Sequence, residues 1–383
     1  MSITTAKGFR AAGVAAGLKP SGGLDVALVV NDGPSQAAAG VFTSNRVKAA
    51  PILWCEQVLT TGRLAAVVLN SGGANACAGP EGFADAHRTA EHLAGELEIG
   101  AIDVGLASTG LIGLRLPMPE LLSGISVAVQ ELSADGGRNA AEAIMTTDSV
   151  PKQACLTRAG FTVGGMAKGA GMLAPGLATM LVVLTTDADA DAAMLDAALR
   201  AACAVTFDRV DSDGAMSTND TVLLLASGAS GLAADQATLT EAVTAVCSDL
   251  AQQLIADAEG STKDISITVE QAASIDDAVE VGRAIARNNL VKCAFYGADP
   301  NWGRILAAVG TTSAAFDPSD LDVVLNGVET CRAGGIGEDR GGCDLTGRAV
   351  DVRVRLHAGL HEATVWTNDL SVGYVHENSA YSS

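Results

Sequence analysis

Aromatic residues are scarce in this chain. Phe, Tyr and Trp make up 3% of its 383 residues, although apolar residues as a whole reach 48%. A large core can still be buried, but it must be built from small and branched side chains rather than rings. Long apolar runs are also missing. None approaches the roughly 20 residues that a membrane-spanning helix needs, and the run 177–184 has only strand length. Lys7 and Arg10 sit near the start, but the stretch 11–17 is too short and too glycine-broken for a signal-peptide core. The expected location is therefore the cytoplasm. Basic charge is in short supply, with 24 Lys and Arg against 44 Asp and Glu and a formal net charge of −20. This argues against nucleic acid or an anionic membrane as partner, because both require a basic surface. Anionic metabolites remain open, since one local lysine can serve them. The eight cysteines (Cys55, Cys77, Cys155, Cys203, Cys247, Cys293, Cys331 and Cys343) include no Cys-x-x-Cys pair. Reduced thiols are expected, with Cys331 and Cys343, which flank a glycine-rich loop, as the one plausible pair. Internal repeats, low-complexity tracts and linker-like shifts in composition are absent.

Short strand-like and helix-like runs alternate along the chain. Residues 26–30, 64–69, 102–107, 221–227, 263–270, 321–325, 349–356 and 363–370 read as strands. Residues 84–97, 118–133, 137–145, 191–204, 235–258 and 276–289 read as helices. The mixture is α/β, with a β-rich C-terminal end.

One junction carries a specific chemical expectation. Gly169 to Gly176 is small and flexible, and it runs into the apolar stretch 177–184, with Ala178 followed by Thr179. A hydroxyl placed there could attack the carbonyl just before it, cut the chain and leave Thr179 as a new N-terminus. The freed α-amine titrates at about 7.7–8.0, so much of it is basic near neutral pH and can activate its own hydroxyl. The plainer reading is a loop entering a core strand.

The same stretch resembles the processing site of the ornithine acetyltransferase family, the bifunctional glutamate N-acetyltransferases of arginine biosynthesis. The similarity runs nearly end to end. It includes Gly8-Phe-Arg-Ala-Ala-Gly-Val14, Val41-Phe-Thr-Ser-Asn-Arg-Val-Lys-Ala-Ala-Pro51, Ser108-Thr-Gly-Leu-Ile-Gly113 and Met145-Thr-Thr-Asp148. It continues with Gly165-Met-Ala-Lys-Gly-Ala-Gly171, Ser217-Thr-Asn-Asp-Thr221, Asp257-Ala-Glu-Gly260, Gly297-Ala-Asp-Pro-Asn-Trp-Gly-Arg304 and His376-Glu-Asn-Ser-Ala-Tyr-Ser-Ser383.

The resemblance implies a layered αββα sandwich, of the kind shared with self-processing aminopeptidases. It implies a cut between Ala178 and Thr179 into segments 1–178 and 179–383 that share one core and assemble as a heterotetramer. The implied reaction moves acetyl from N2-acetyl-L-ornithine to Thr179 and then to L-glutamate. Some members of the family also take acetyl from acetyl-CoA, which makes it a second candidate donor. The rival is a self-processing amidohydrolase in which water replaces glutamate. By the same resemblance Thr109 and Gly110 form the oxyanion hole. Thr146, Lys168, Thr179, Glu259, Asn378 and Ser383 contact substrate.

These residues also have plain readings. Ser108-Thr109-Gly110 is ordinary turn chemistry, as are Thr146 and Asp148 at a helix end. Lys168 reads as a loop lysine. Gly169-x-Gly171-x-x-Ala174 matches a loose dinucleotide fingerprint, but it runs through Pro175 into a strand instead of opening a helix. Glu259 reads as the end of the long helix, where a carboxylate opposes the macrodipole, a broken local rule that hints at function. The stretch His376 to Ser383 reads as a frayed tail, with no strand or helix expected over 378–383. Ser217 to Thr221 is expected to position the junction, although this chain has Gly214-Ala-Met216 where the family often carries Gly-Asp. Asp299 to Arg304 reads as a turn. His357 and His361 lie in a strand-turn-strand context unsuited to a two-histidine metal site, so no metal and no other cofactor is expected.

Overall fold

The computed structural model describes residues 2–173 and 180–380. Ala178, Thr179 and Ser383 lie outside them. Two sheets stack at the centre. The first has the order Phe9–Val14, Val26–Asn31, Ala66–Asn70, Val104–Ser108. The second has the order Ala37–Phe42, Thr221–Ala226, Leu181–Thr186, Phe161–Lys168, Lys152–Arg158. Strand side chains alternate between faces. In the second sheet Met166, Leu181, Val183, Leu223 and Leu225 therefore meet Leu28, Val67 and Leu69 of the first in one core. Val182, Leu184, Val222 and Leu224 point the other way, against Leu195, Leu199, Val243 and Leu250. Those belong to the helices Ala192–Val205 and Gln236–Ala256. Helices Gly79–Leu97, Met118–Gln130 and Gly137–Ala143 cover the first sheet from outside through Leu93, Leu121, Ile125 and Ala140.

The result is the expected αββα layering. It explains why the run after Thr179 is apolar without a break: a strand covered on both faces has no solvent side. A six-stranded third sheet, with strands such as Asp264–Ala272 and Ala349–Arg355, carries the helix Ile275–Ala286 and has its own core.

Several boundaries differ from the sequence reading, each for a physical reason. The expected helix over 276–289 is two helices, Ile275–Ala286 and Asn289–Tyr296. Asn288 separates them by accepting from the Leu290 and Val291 amides with its side chain. Lys168 is not in a loop but ends the strand Phe161–Lys168. The glycines of that strand serve close packing, since a Cβ at Gly164 or Gly165 would lie 2.7 Å from the Ser2 carbonyl oxygen or from Leu184 Cδ2. Asp299 to Arg304 enters a helix, Trp302–Val309, which Asn301 caps.

Glu259 is not in the last turn of the long helix, which ends at Ala256 with Asp257 as its C-cap. The dipole argument therefore applies to Asp257, which Lys152 neutralises at 2.6 Å. The C-terminal stretch is not coil: Val372–Ala380 is helical. It seats on Gly260, which must be glycine on two counts: its φ is +59°, and a Cβ there would lie only 2.2 Å from the Tyr374 nitrogen. The cysteines are free, with Cys331 and Cys343 directed at the Leu321 and Leu325 carbonyls rather than at each other. Among the described residues no helix is long and apolar enough to cross a membrane.

Candidate active site

The strand Val104–Ser108 delivers Thr109 and Gly110 to the edge of a cleft of about 190 Å³. Their loop is fastened from three sides. The Thr109 amide donates to the Asn70 carbonyl at 2.9 Å, and the Gly73 amide donates to the Thr109 carbonyl at 3.0 Å. The Ser108 hydroxyl donates to Asn70 Oδ1 at 2.6 Å, and Asn219 Nδ2 donates to the Ser108 carbonyl at 2.8 Å. Gly110 has φ +123°, and a Cβ there would come 2.8 Å from the Gly73 nitrogen, so only glycine fits. This is a rigid loop presenting one hydroxyl and one amide, not a free surface turn. Such preorganised donors suit an oxyanion, because they need no rearrangement when charge develops.

Lys168 enters the cleft from the facing sheet. It is 2% exposed, and its Nζ donates to Thr109 Oγ1 at 3.3 Å. Burial pushes this ammonium below the ordinary lysine range, while Asp148 and Glu259 pull it back up. With its oxygen accepting from Lys168, the Thr109 hydroxyl is polarised to donate its own proton into the cleft.

The Thr146 turn and the lysine strand are held by one carboxylate. Asp148 accepts from the Thr146 amide at 3.0 Å, the Gly169 amide at 2.7 Å and Lys152 Nζ at 2.7 Å. Burial would raise its pKa, but Lys168 and Lys152 outweigh that and hold it below the usual carboxylate value. Lys152 is fully buried and also reaches Asp257 at 2.6 Å. The triad thereby joins the Thr146 turn to the end of the long helix. Just beyond that end, the Glu259 amide donates to the Ala170 carbonyl at 2.8 Å. The Glu259 carboxylate accepts from Asn378 Nδ2 at 2.8 Å.

Of the sequence-predicted site residues, Thr109, Gly110, Thr146, Lys168, Glu259 and Asn378 all line this one cleft. They come from separate stretches of chain. Thr179, Ala178 and Ser383 fall outside the described residues. The nearest described residue to the junction is Met180, directly ahead of the strand Leu181–Thr186. Sequence reasoning missed the supporting set of Asn70, Asp148, Lys152 and Asn219. Asp148 and Asn219 stood inside motifs already singled out. Lys152 stands four residues after Asp148, which is a local signal, but its second partner Asp257 is 105 residues away.

The Lys168 contact carries a prediction. A lysine that only paired with a substrate carboxylate would affect KM. A lysine that also polarises Thr109 acts on the transition state, so Lys168→Ala is expected to lower kcat by about tenfold or more as well as raise KM. Because the folded pKa is lowered, the active ammonium is lost as pH rises through a value below the usual lysine range of about 10.4. The kcat profile should therefore show an alkaline limb that is absent in the variant. Steady-state kinetics across pH checks both outcomes, and an unchanged kcat would limit Lys168 to substrate binding.

The chain is similar to known proteins over its whole length. The ArgJ family model matches residues 10–383. The arginine biosynthesis bifunctional protein ArgJ of Streptomyces avermitilis is 65% identical over 383 residues, covering 100% of both chains. The ArgJ protein of Mycobacterium tuberculosis strain H37Rv is 59% identical over 389 residues, covering 100% of this chain and 96% of the relative. Among solved structures, an ornithine acetyltransferase from Mycobacterium tuberculosis, complexed with ornithine, is 62% identical. It spans 47% of this chain and 96% of its own, with a TM-score of 0.45. On its whole-length match, the chain belongs to the ArgJ family, whose curated members are bifunctional proteins of arginine biosynthesis.

Proposed function

We propose that this chain transfers acetyl from N2-acetyl-L-ornithine to L-glutamate through an acyl-threonine intermediate on Thr179. The convergence of Thr109, Gly110, Lys168, Thr146, Glu259 and Asn378 on one cleft carries this reading. The chain is first cut between Ala178 and Thr179. The Thr179 hydroxyl then attacks the acetyl carbonyl while its own α-amine takes the proton. The resulting oxyanion is received by the Thr109 hydroxyl and the Gly110 amide. The proton passes to the departing ornithine amine. Glutamate attacks the ester through its amine, regenerating the threonine. The ester is more reactive than the amide it replaced, so the second half needs no nucleotide.

Glu259 suits a substrate ammonium and Lys168 a substrate carboxylate. Asn378, with Ser383 beyond it, closes the cleft from the tail. The two cut segments stay together: the strand Phe161–Lys168 of the first pairs with Leu181–Thr186 of the second from Val163↔Thr186 to Lys168↔Leu181. They act as a heterotetramer in the cytoplasm. Acetyl-CoA serves as a second donor for the same threonine.

An acetyl-transfer assay on the purified protein tests the reading, with acetylornithine and acetyl-CoA compared as donors. Exchange of label between ornithine and acetylornithine in the absence of glutamate is the expected mark of the covalent intermediate. Release of free acetate at the same rate with and without glutamate would make the protein an amidohydrolase instead.

A further inference from the structure

Asp220 is a buried acid beside the cleft that the mechanism above does not use. It is 0% exposed and ends the run Ser217 to Asp220 beside the cleft. Its Oδ1 accepts from the Met180 amide at 3.0 Å. That amide belongs to the peptide bond formed by the Thr179 carbonyl, so Asp220 holds the chain at the residue next to the nucleophile. The backbone repeats the grip: the Thr221 amide donates to the Met180 carbonyl at 3.1 Å, and the Asp220 carbonyl accepts from the Thr43 amide at 3.0 Å.

The second oxygen of Asp220, Oδ2, has no hydrogen-bond partner among the described residues. An ionised carboxylate with one undonated oxygen is costly to bury, whereas the protonated acid carries no charge. Burial pushes its pKa well above the usual range, against the amide of Met180, the charge of Lys168 and the hydroxyl of Ser217, which lower it; Asp208 adds to the rise.

Its neutrality has a chemical use. The α-amine of a freed Thr179 must be unprotonated to act as a base. A fixed negative charge within a few ångströms would stabilise the ammonium and raise its pKa. We propose that Asp220 is a positioning residue for the nucleophile: a neutral acid that anchors the Met180 amide through Oδ1 without placing an anion beside the Thr179 amine. This rests on the Thr179 reading above.

The test uses the full chain with two substitutions. Asp220→Asn keeps an acceptor for the Met180 amide and carries no charge. Asp220→Leu is similar in size and offers no acceptor. The rate of cutting is followed by denaturing electrophoresis, and kcat/KM for acetyl transfer is followed across pH. Asp220→Asn is expected to cut within about tenfold of the wild-type rate, and its acid limb should stay within about 0.3 pH unit of wild type. Asp220→Leu is expected to cut about 10²-fold more slowly.

A downward shift of the acid limb by about one unit in Asp220→Asn would mean that an anion had been removed, overturning the proposal. Cutting by Asp220→Leu at the wild-type rate would overturn it as well. Should the leucine variant not fold, the asparagine variant decides alone: a shifted acid limb, or cutting slowed by more than about tenfold, overturns the proposal. A wild-type chain that is never cut overturns the nucleophile reading, and this proposal with it. A cut wild type combined with either failing arm overturns this proposal only.

Discussion

Thr179→Ala is expected to run as a single uncut chain and to transfer no acetyl group. In the proposed mechanism both steps ask the same hydroxyl to attack a carbonyl: that of Ala178 during cutting, and that of the acetyl donor during turnover. Alanine removes the only atom that can form the bond. It also leaves position 179 small and compatible with the Gly- and Ala-rich sequence before it. Folding should survive, since the two central sheets and their cores are built from other residues. Intact-mass measurement after expression in a foreign host checks the cut, and label exchange between ornithine and acetylornithine checks the chemistry. A wild-type chain of full-length mass with full activity would show that no N-terminal threonine is needed.

Thr109→Ala comes second in expected size. The hydroxyl is nearly buried and accepts from Lys168, and its loop is fastened by Asn70, Gly73 and Asn219. In the proposed mechanism the substitution removes one oxyanion donor without releasing the loop. Loss of such a donor lowers kcat by about 10²-fold or more, with a smaller change in KM. Cutting should slow too if the same hole receives the Ala178 carbonyl. Steady-state kinetics on cut protein, together with a time course of cutting, separates the two. Normal turnover in the variant would reduce Thr109 to a turn residue.

The sequence made the two central sheets readable wherever apolar runs and turn residues stood next to each other. Val26–Asn31 and Leu181–Thr186 are examples. It misled where glycine served packing rather than flexibility. Gly164 and Gly165 look like loop residues, yet they lie in a strand because neighbouring atoms leave no room for a Cβ. It also misled at the tail, where helical spacing is weak and the helix exists because Gly260 accepts Tyr374 closely. The cleft residues were legible one by one through their motifs. Their mutual contacts were not: that Lys168 would touch Thr109, or that Lys152 would join its neighbour Asp148 to Asp257, depends on strand register and on pairings 59 and 105 residues apart in the chain. The orphan oxygen of Asp220 is a fact of burial that no spacing could reveal.

The adjacency of Phe161–Lys168 and Leu181–Thr186 has a further consequence for the life history of the protein. They are antiparallel neighbours, so the chain between them is a hairpin connection. While that connection is whole, the second sheet assembles by closing a short loop, which is entropically cheap. Once it is cut, as proposed above, the same pairing requires two separate molecules to meet, and re-forming it depends on their concentration. The cut then acts as a ratchet. A newly made chain can fold unaided, but a mature one that unfolds has lost the tether that guided it. Its durability is set by how slowly it opens rather than by how readily it returns.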